Sequence, residues 1–187
     1  MDLNDTELRE ALNEYLKRLS VSPRVIIEEL HIQFGQAIAD VAAIYKEAHC
    51  YEIKGDNDNI SRLKTQGLHY DKSFRKTTLI TTRKHINNAI KTTPEHWGII
   101  IFESERNRYK HTFIRKARNS PHFNKECAVK ILWRSEMIQL INKYNLNISI
   151  KINKRDLAYA IAASLPLSVI GKDVANFLFE RKSIKLY

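Results

Sequence analysis

Between residues 49 and 102 the hydrophobic period of the chain changes four times, and this alternation limits its fold more than any other feature. HCYEIK (49–54) reads as a strand, and GDNDNISRLKTQGLHYD (55–71) turns to helical spacing through Ile60, Leu63, Leu68 and Tyr70. TTLITT (77–82) is β-branched and strand-like, HINNAIKTT (85–93) is a short helix, and WGIIIF (97–102) is a continuous apolar strand of the type buried on both faces. Strand–helix–strand–helix–strand implies parallel strands joined by right-handed crossovers.

Upstream, AIADVAAIY (37–45) and HCYEIK are separated by Lys46-Glu47-Ala48, which predicts an antiparallel hairpin. Residues 5–19 place Leu8, Leu12, Tyr15, Leu16 and Leu19 on one helical stripe, with Asp5 as the N-cap. Ser22-Pro23 has the form of a second helix start, and HIQF (31–34) that of a short strand closed by Gly35. Downstream, residues 124–142, 154–164 and 167–182 are predicted helices. The expected fold is therefore α/β, a mixed core over 1–103 followed by a basic linker and helical extension over 104–187. Apolar residues at 43%, charged residues at 28% and only 5 Gly and 4 Pro exclude disordered and collagen-like classes.

No run reaches the roughly 18 apolar residues of a membrane span, and MDLNDTELRE has no apolar signal segment. With two cysteines, Cys50 and Cys127, and no CxxC, the expectation is a reduced, cytoplasmic protein without a membrane partner.

The chain carries 31 Lys+Arg against 21 Asp+Glu, a net charge of +10. From Glu105 to Arg155 there are thirteen Lys or Arg against three Glu, so this segment holds the whole excess. Tyr109, Phe113, Phe123 and Trp133 are interleaved with the cations. A one-sign patch with stacking groups suits a polyanion, nucleic acid first. Arg106, Arg108, Lys110, Arg115, Lys116 and Arg118 are the expected contacts.

Asp40, Glu52 and Lys54 carry the candidate chemistry. Glu52 and Lys54 share one strand face while Ile53 and Tyr51 point to the other. If the hairpin pairs residues whose numbers sum to an even value such as 92 or 94, Asp40 joins them; an odd sum puts it on the opposite face. Two carboxylates across a strand pair repel unless a cation lies between them, and oxygen-only ligands favour a hard ion such as Mg²⁺. A neighbouring lysine can stabilise the charge that develops on a phosphate. The plain alternative is a surface ion pair on an edge hairpin.

Gln66 and Tyr70 lie i, i+4 on the following helix and so share a face. D-(x11)-E-x-K followed by QxxxY on a helix and then two strands resembles the PD-(D/E)XK nuclease superfamily, in its RecB-type branch. The likeness covers about residues 20–103. VAAIYKEAHCYEIKG onward, together with LWRSE and the terminal helices, is similar to a group of small bacterial and phage-borne proteins within it. The resemblance implies a restriction-endonuclease-like core and Mg²⁺- or Mn²⁺-dependent hydrolysis of phosphodiesters, DNA ahead of RNA; a homodimer would suit double-strand cutting, but nothing in the sequence demands one. It implies Asp40, Glu52 and the Ile53 carbonyl as metal ligands and Lys54 as the residue that positions or activates water. Gln66 and Tyr70 would support the site, and Glu29, or else Glu28, would be the further acid that the superfamily often draws from its N-terminal helix. Ala39 stands where the motif often has Pro, and the cysteine quartet of iron–sulfur members is absent. The rival functions are a non-catalytic nucleic-acid binder on the same fold and an RNase or tRNA-cleaving toxin.

Overall fold

The computed structural model describes residues 3–106 and 108–184. Helix α1 (Asp5–Lys17) leads into β1 (Val25–Ile32), then β2 (Ala37–Ile44) and β3 (Ala48–Lys54). Helix α2 (Leu63–Ser73), β4 (Lys76–Thr81), α3 (Ile86–Thr92) and β5 (Gly98–Glu105) follow, then β6 (Arg108–Arg115). Four helices close the chain: α4 (Lys125–Val129), α5 (Arg134–Lys143), α6 (Lys154–Ser164) and α7 (Leu167–Ile184). The six strands form one mixed sheet in the order β1-β2-β3-β4-β5-β6. Strands β3, β4 and β5 are parallel, as the alternation predicts, and the other neighbours are antiparallel. Among the described residues no helix is long and apolar enough to cross a membrane.

Two cores flank the sheet. On one face Val41, Tyr51, Ile53, Ile80, Ile100 and Phe102 bury the Leu8–Leu12–Leu16 stripe of α1. On the other, Ile44, Cys50, Leu79 and Ile99 pack under α2 and the C-terminal helices in one continuous cluster. Helix α2 approaches closely because Gly67 has no Cβ; one there would stand 3.1 Å from Cζ2 of the fully buried Trp97.

Several expectations are corrected. The N-cap of α1 is Asn4, not Asp5: its side chain accepts the Glu7 N–H at 3.0 Å while Glu7 accepts the Asn4 N–H at 2.8 Å, a full capping box. The predicted helix at Ser22-Pro23 is strand β1. Val25, Ile26 and Ile27 are β-branched, and pairing with Ile44, Ala43 and Ala42 outweighs the helix-start signal. The start of the basic linker is edge strand β6, whose Tyr109, His111 and Phe113 alternate onto the α1 side; the His111 and Phe113 rings lie 4.7 and 6.0 Å from that of Tyr15. The long helix over 124–142 is broken into α4 and α5, because Glu136 accepts the Trp133 N–H at 2.6 Å and starts a new helix there.

Candidate active site

The β2–β3 ladder runs Ile44↔Ala48 to Val41↔Tyr51, a sum of 92, so the even parity holds and Asp40 comes opposite Glu52. The ladder stops at Val41. Beyond it the Asp40 carboxylate replaces a backbone acceptor and takes the Ile53 N–H at 2.8 Å. In an extended strand one residue's N–H and C=O face the same neighbour, so the Ile53 carbonyl also turns toward the gap that β2 leaves.

Glu52 is 0% exposed, and its Oε2 has no hydrogen-bond partner among the described residues. Its Oε1 accepts the Lys54 Nζ at 2.7 Å. Burial, and then the Asp40 charge, push the Glu52 carboxyl up to about 7, against the pull of Lys54 and of the nearby Tyr70 hydroxyl. Burial also raises Asp40, opposed by the Ile53 N–H and the Lys54 ammonium. For Lys54, burial favours the neutral amine, but Glu52 and Asp40 outweigh it and the net shift is upward. The lysine is therefore a cation here.

Tyr70 faces this cluster from α2, and Gln66 lies four residues before it on the same side of the helix. The buried Tyr70 hydroxyl donates to the Ile38 carbonyl at 2.8 Å and tethers α2 to β2 beside Asp40. The buried Gln66 Oε1 has no hydrogen-bond partner among the described residues. Two residues missed by the sequence reading complete the surroundings. Arg9 of α1 donates to the Asp40 carbonyl at 2.8 Å and pairs with Asp5 at 3.1 Å, and the Asp5 charge adds to the upward shift of Asp40. Their signal was the i, i+4 Asp5–Arg9 pair.

Glu29 and Glu28 are not on the N-terminal helix. Both stand on β1, where Glu28 accepts from Asn13 at 3.1 Å and Glu29 has a left-handed φ of 52°. The acid that the N-terminal helix brings toward Asp40 is Asp5, because α1 has its N-terminus at this end of the sheet.

The basic residues divide by position. Lys54, Thr81 and Glu105 end the parallel strands β3, β4 and β5, so the β5–β6 turn with Arg106, Arg108 and Lys110 lies at the same sheet end as Asp40 and Glu52. Strand β6 then runs back. Seven residues at about 3.3 Å each carry Arg115, Lys116 and Arg118 to the opposite end. Arg115 is committed to the fold: it donates to the Trp97 and Pro94 carbonyls and to Thr93 Oγ1 at 2.7–2.8 Å. Arg118 bonds the Glu95 carbonyl at 3.2 Å. The expected six-residue grip is thus two separate groups.

Among the described residues no group of three or more His, Cys, Asp or Glu side chains is placed to hold a metal ion. A cation here would rest on two carboxylates, the Ile53 carbonyl and water. That oxygen-only set, with a buried unpartnered carboxylate oxygen, fits a hard divalent ion that keeps several waters.

Fold and site together define a mixed α/β protein with a buried carboxylate–lysine cluster where β2 and β3 part. The chain belongs to the family described as Bacteriophage P4 protein cII, whose sequence model matches residues 1–186. It is similar to protein cII of Enterobacteria phage P4, at 28% identity over 180 residues, which span 96% of this chain and 68% of that protein. A protein of unknown function from Silicibacter pomeroyi is similar in structure at a TM-score of 0.47 and 16% identity, over 80% of this chain and 99% of that one.

Proposed function

We infer that this protein is a metal-dependent nuclease of the PD-(D/E)XK type, acting on DNA phosphodiesters. The observation that carries the reading is the Glu52 carboxylate, fully buried with Oε2 unpartnered, across from Asp40 and bonded to Lys54. A purely structural ion pair gains nothing from a second buried carboxylate that raises its pKa. The element order α1-β1-β2-β3-α2-β4, with β4 parallel to β3, also supports it, as does the resemblance of the D-(x11)-E-x-K and QxxxY pattern.

Asp40, Glu52 and the Ile53 carbonyl would hold Mg²⁺ or Mn²⁺. Such an ion makes water a better nucleophile and neutralises charge on the phosphate. The protein's own residues do the rest. The Ile53 N–H fixes the Asp40 carboxylate, and Arg9 holds the strand that carries it. Lys54, protonated, donates to the phosphate oxygens or to the attacking water and does not accept a proton. The Tyr70–Ile38 bond keeps α2 against the site.

The test is incubation of the purified protein with linear, circular, single-stranded and RNA substrates, in Mg²⁺ or EDTA, beside a Lys54→Ala variant. Mg²⁺-dependent cleavage that the variant lacks is expected. Binding without cleavage by the wild type overturns the assignment in favour of a non-catalytic binder, and equal cleavage by the variant overturns the assigned role of Lys54.

A further inference from the structure

The second half of β1 and its connection to β2 carry unusual backbone strain. Of the five non-glycine residues with positive φ among those described, three fall within six positions: Glu29 at 52°, Gln33 at 49° and Phe34 at 61°. A bulky side chain in this region costs on the order of 1–3 kcal/mol and persists only where its surroundings impose it. Here they do. The buried Gln33 side chain donates to the His69 carbonyl at 3.1 Å and to Ser73 Oγ at 3.0 Å, and its Oε1 bonds His69 Nδ1 at 3.0 Å. These bonds pin the turn to α2, the helix of Gln66 and Tyr70. The consequence is a Phe34 ring held out of the core, 42% exposed.

Phe34 opens onto a groove of about 540 Å³ between β1 and the C-terminal helices. Across it stands Trp133, 49% exposed. Each ring has a cation beside it: Lys154 Nζ lies 4.5 Å from the Phe34 centroid, and the Arg181 guanidinium 4.1 Å from that of Trp133. Arg181 is neutralised by Glu136 at 2.9 Å, and Lys130, also lining the groove, by Glu126 at 2.5 Å. Lys154 has no ion-pair or hydrogen-bond partner among the described residues, and burial together with the Arg181 charge lowers its pKa. Glu28 and Glu29 line the groove too. The groove is therefore nearly neutral, aromatic and supplied with one free ammonium, unlike a channel that tracks a duplex backbone. It begins one strand from the cluster, because Glu28↔Val41 and Leu30↔Ala39 put Glu29 opposite Asp40.

We propose that this groove binds an unpaired nucleobase of a single-stranded nucleic acid, stacked on Phe34 and Trp133 with Lys154 on its phosphate, and so leads the strand toward Asp40 and Glu52. The last clause rests on the nuclease reading; the stacking site does not. Every base has a π-face, so such a site is tolerant of sequence, and the chain's net charge of +10 supplies the long-range attraction.

The test uses the full chain in EDTA, so that nothing is cleaved, with four labelled probes: a 12-residue oligothymidylate, an abasic strand of equal length, oligouridylate and a 12-base-pair duplex. Phe34→Ala and Trp133→Ala should each weaken oligothymidylate binding roughly 5- to 100-fold, with recovery in Phe34→Tyr and Trp133→Phe and little change for the duplex. The abasic strand should bind no better than oligothymidylate binds the alanine variants. Lys154→Ala should flatten the single-strand salt slope by about 0.7. Equal affinity for abasic and thymidylate strands overturns the proposal, as does a Phe34→Tyr variant as weak as Phe34→Ala. Oligouridylate bound equally well supports a site for bases of either sugar. Stacking-dependent binding without Mg²⁺-dependent cleavage upholds the groove and removes the nuclease; cleavage with binding indifferent to Phe34 and Trp133 does the reverse.

Discussion

The Asp40 carboxylate accepts the Ile53 backbone N–H at 2.8 Å, just past the last pair of the β2–β3 ladder. A side chain thus does the work of a strand. It satisfies the donor that β2 abandons and leaves the Ile53 carbonyl and the Glu52 carboxylate facing the same gap.

This double duty separates two substitutions at one position. Asp40→Asn keeps an acceptor for the Ile53 N–H and removes the charge that raises Glu52. Without metal it should melt higher than wild type, by roughly 1 kcal/mol of stability, and lose Mg²⁺ binding. Asp40→Ala leaves the N–H unsatisfied and should cost about 1–3 kcal/mol. Thermal melts of both variants with and without Mg²⁺ read the difference; equal melting would show that the hydrogen bond carries no weight.

Lys54→Ala should reduce cleavage by roughly 10²- to 10³-fold, a typical loss for one oriented electrostatic group, and leave DNA affinity nearly unchanged. Nicking of supercoiled plasmid, followed beside a binding titration, separates the two effects.

Glu52 gives the metal-free protein a pH dependence. Its carboxyl sits at about 7 in the fold, above the ordinary value near 4.5. Between those values the folded chain binds the proton more tightly than the unfolded chain, so stability falls as pH rises, by up to about 3 kcal/mol. Chemical denaturation at pH 5, 6, 7 and 8 should show this decline, and Glu52→Gln should flatten it. Added Mg²⁺ should restore stability at pH 8, and below pH 7, where Glu52 holds its proton, its binding should release that proton.

The basic residues should split by function. Replacing Arg106, Arg108 and Lys110 together with Ala should flatten the duplex salt slope by up to about 3 units and leave the melting temperature alone. Arg115→Ala removes three hydrogen bonds to the loop over Thr93–Trp97. It should lower stability by about 2 kcal/mol and keep the slope. A flattened slope for Arg115→Ala in a folded protein would contradict the structural role.

Much of this arrangement is written locally. The alternation over 49–102 specifies β3, α2, β4, α3 and β5 and their parallel order, because periods of 2 and 3.6 are properties of neighbours in sequence. The E-x-K spacing puts Glu52 and Lys54 on one face, and QxxxY puts Gln66 and Tyr70 on another, for the same reason. Tertiary structure decided what depends on distant partners. Residues 25–32 are a strand because β2 is there to pair with them, and the register sum of 92 was chosen over its odd neighbours by packing on two cores. Arg115 and Arg106 look alike in sequence, yet the antiparallel return of β6 sends them to opposite ends of the sheet. Only the three-dimensional fold buries Glu52 opposite Asp40, because the desolvation that shifts a carboxyl comes from every element packed around it and not from its neighbours in the chain.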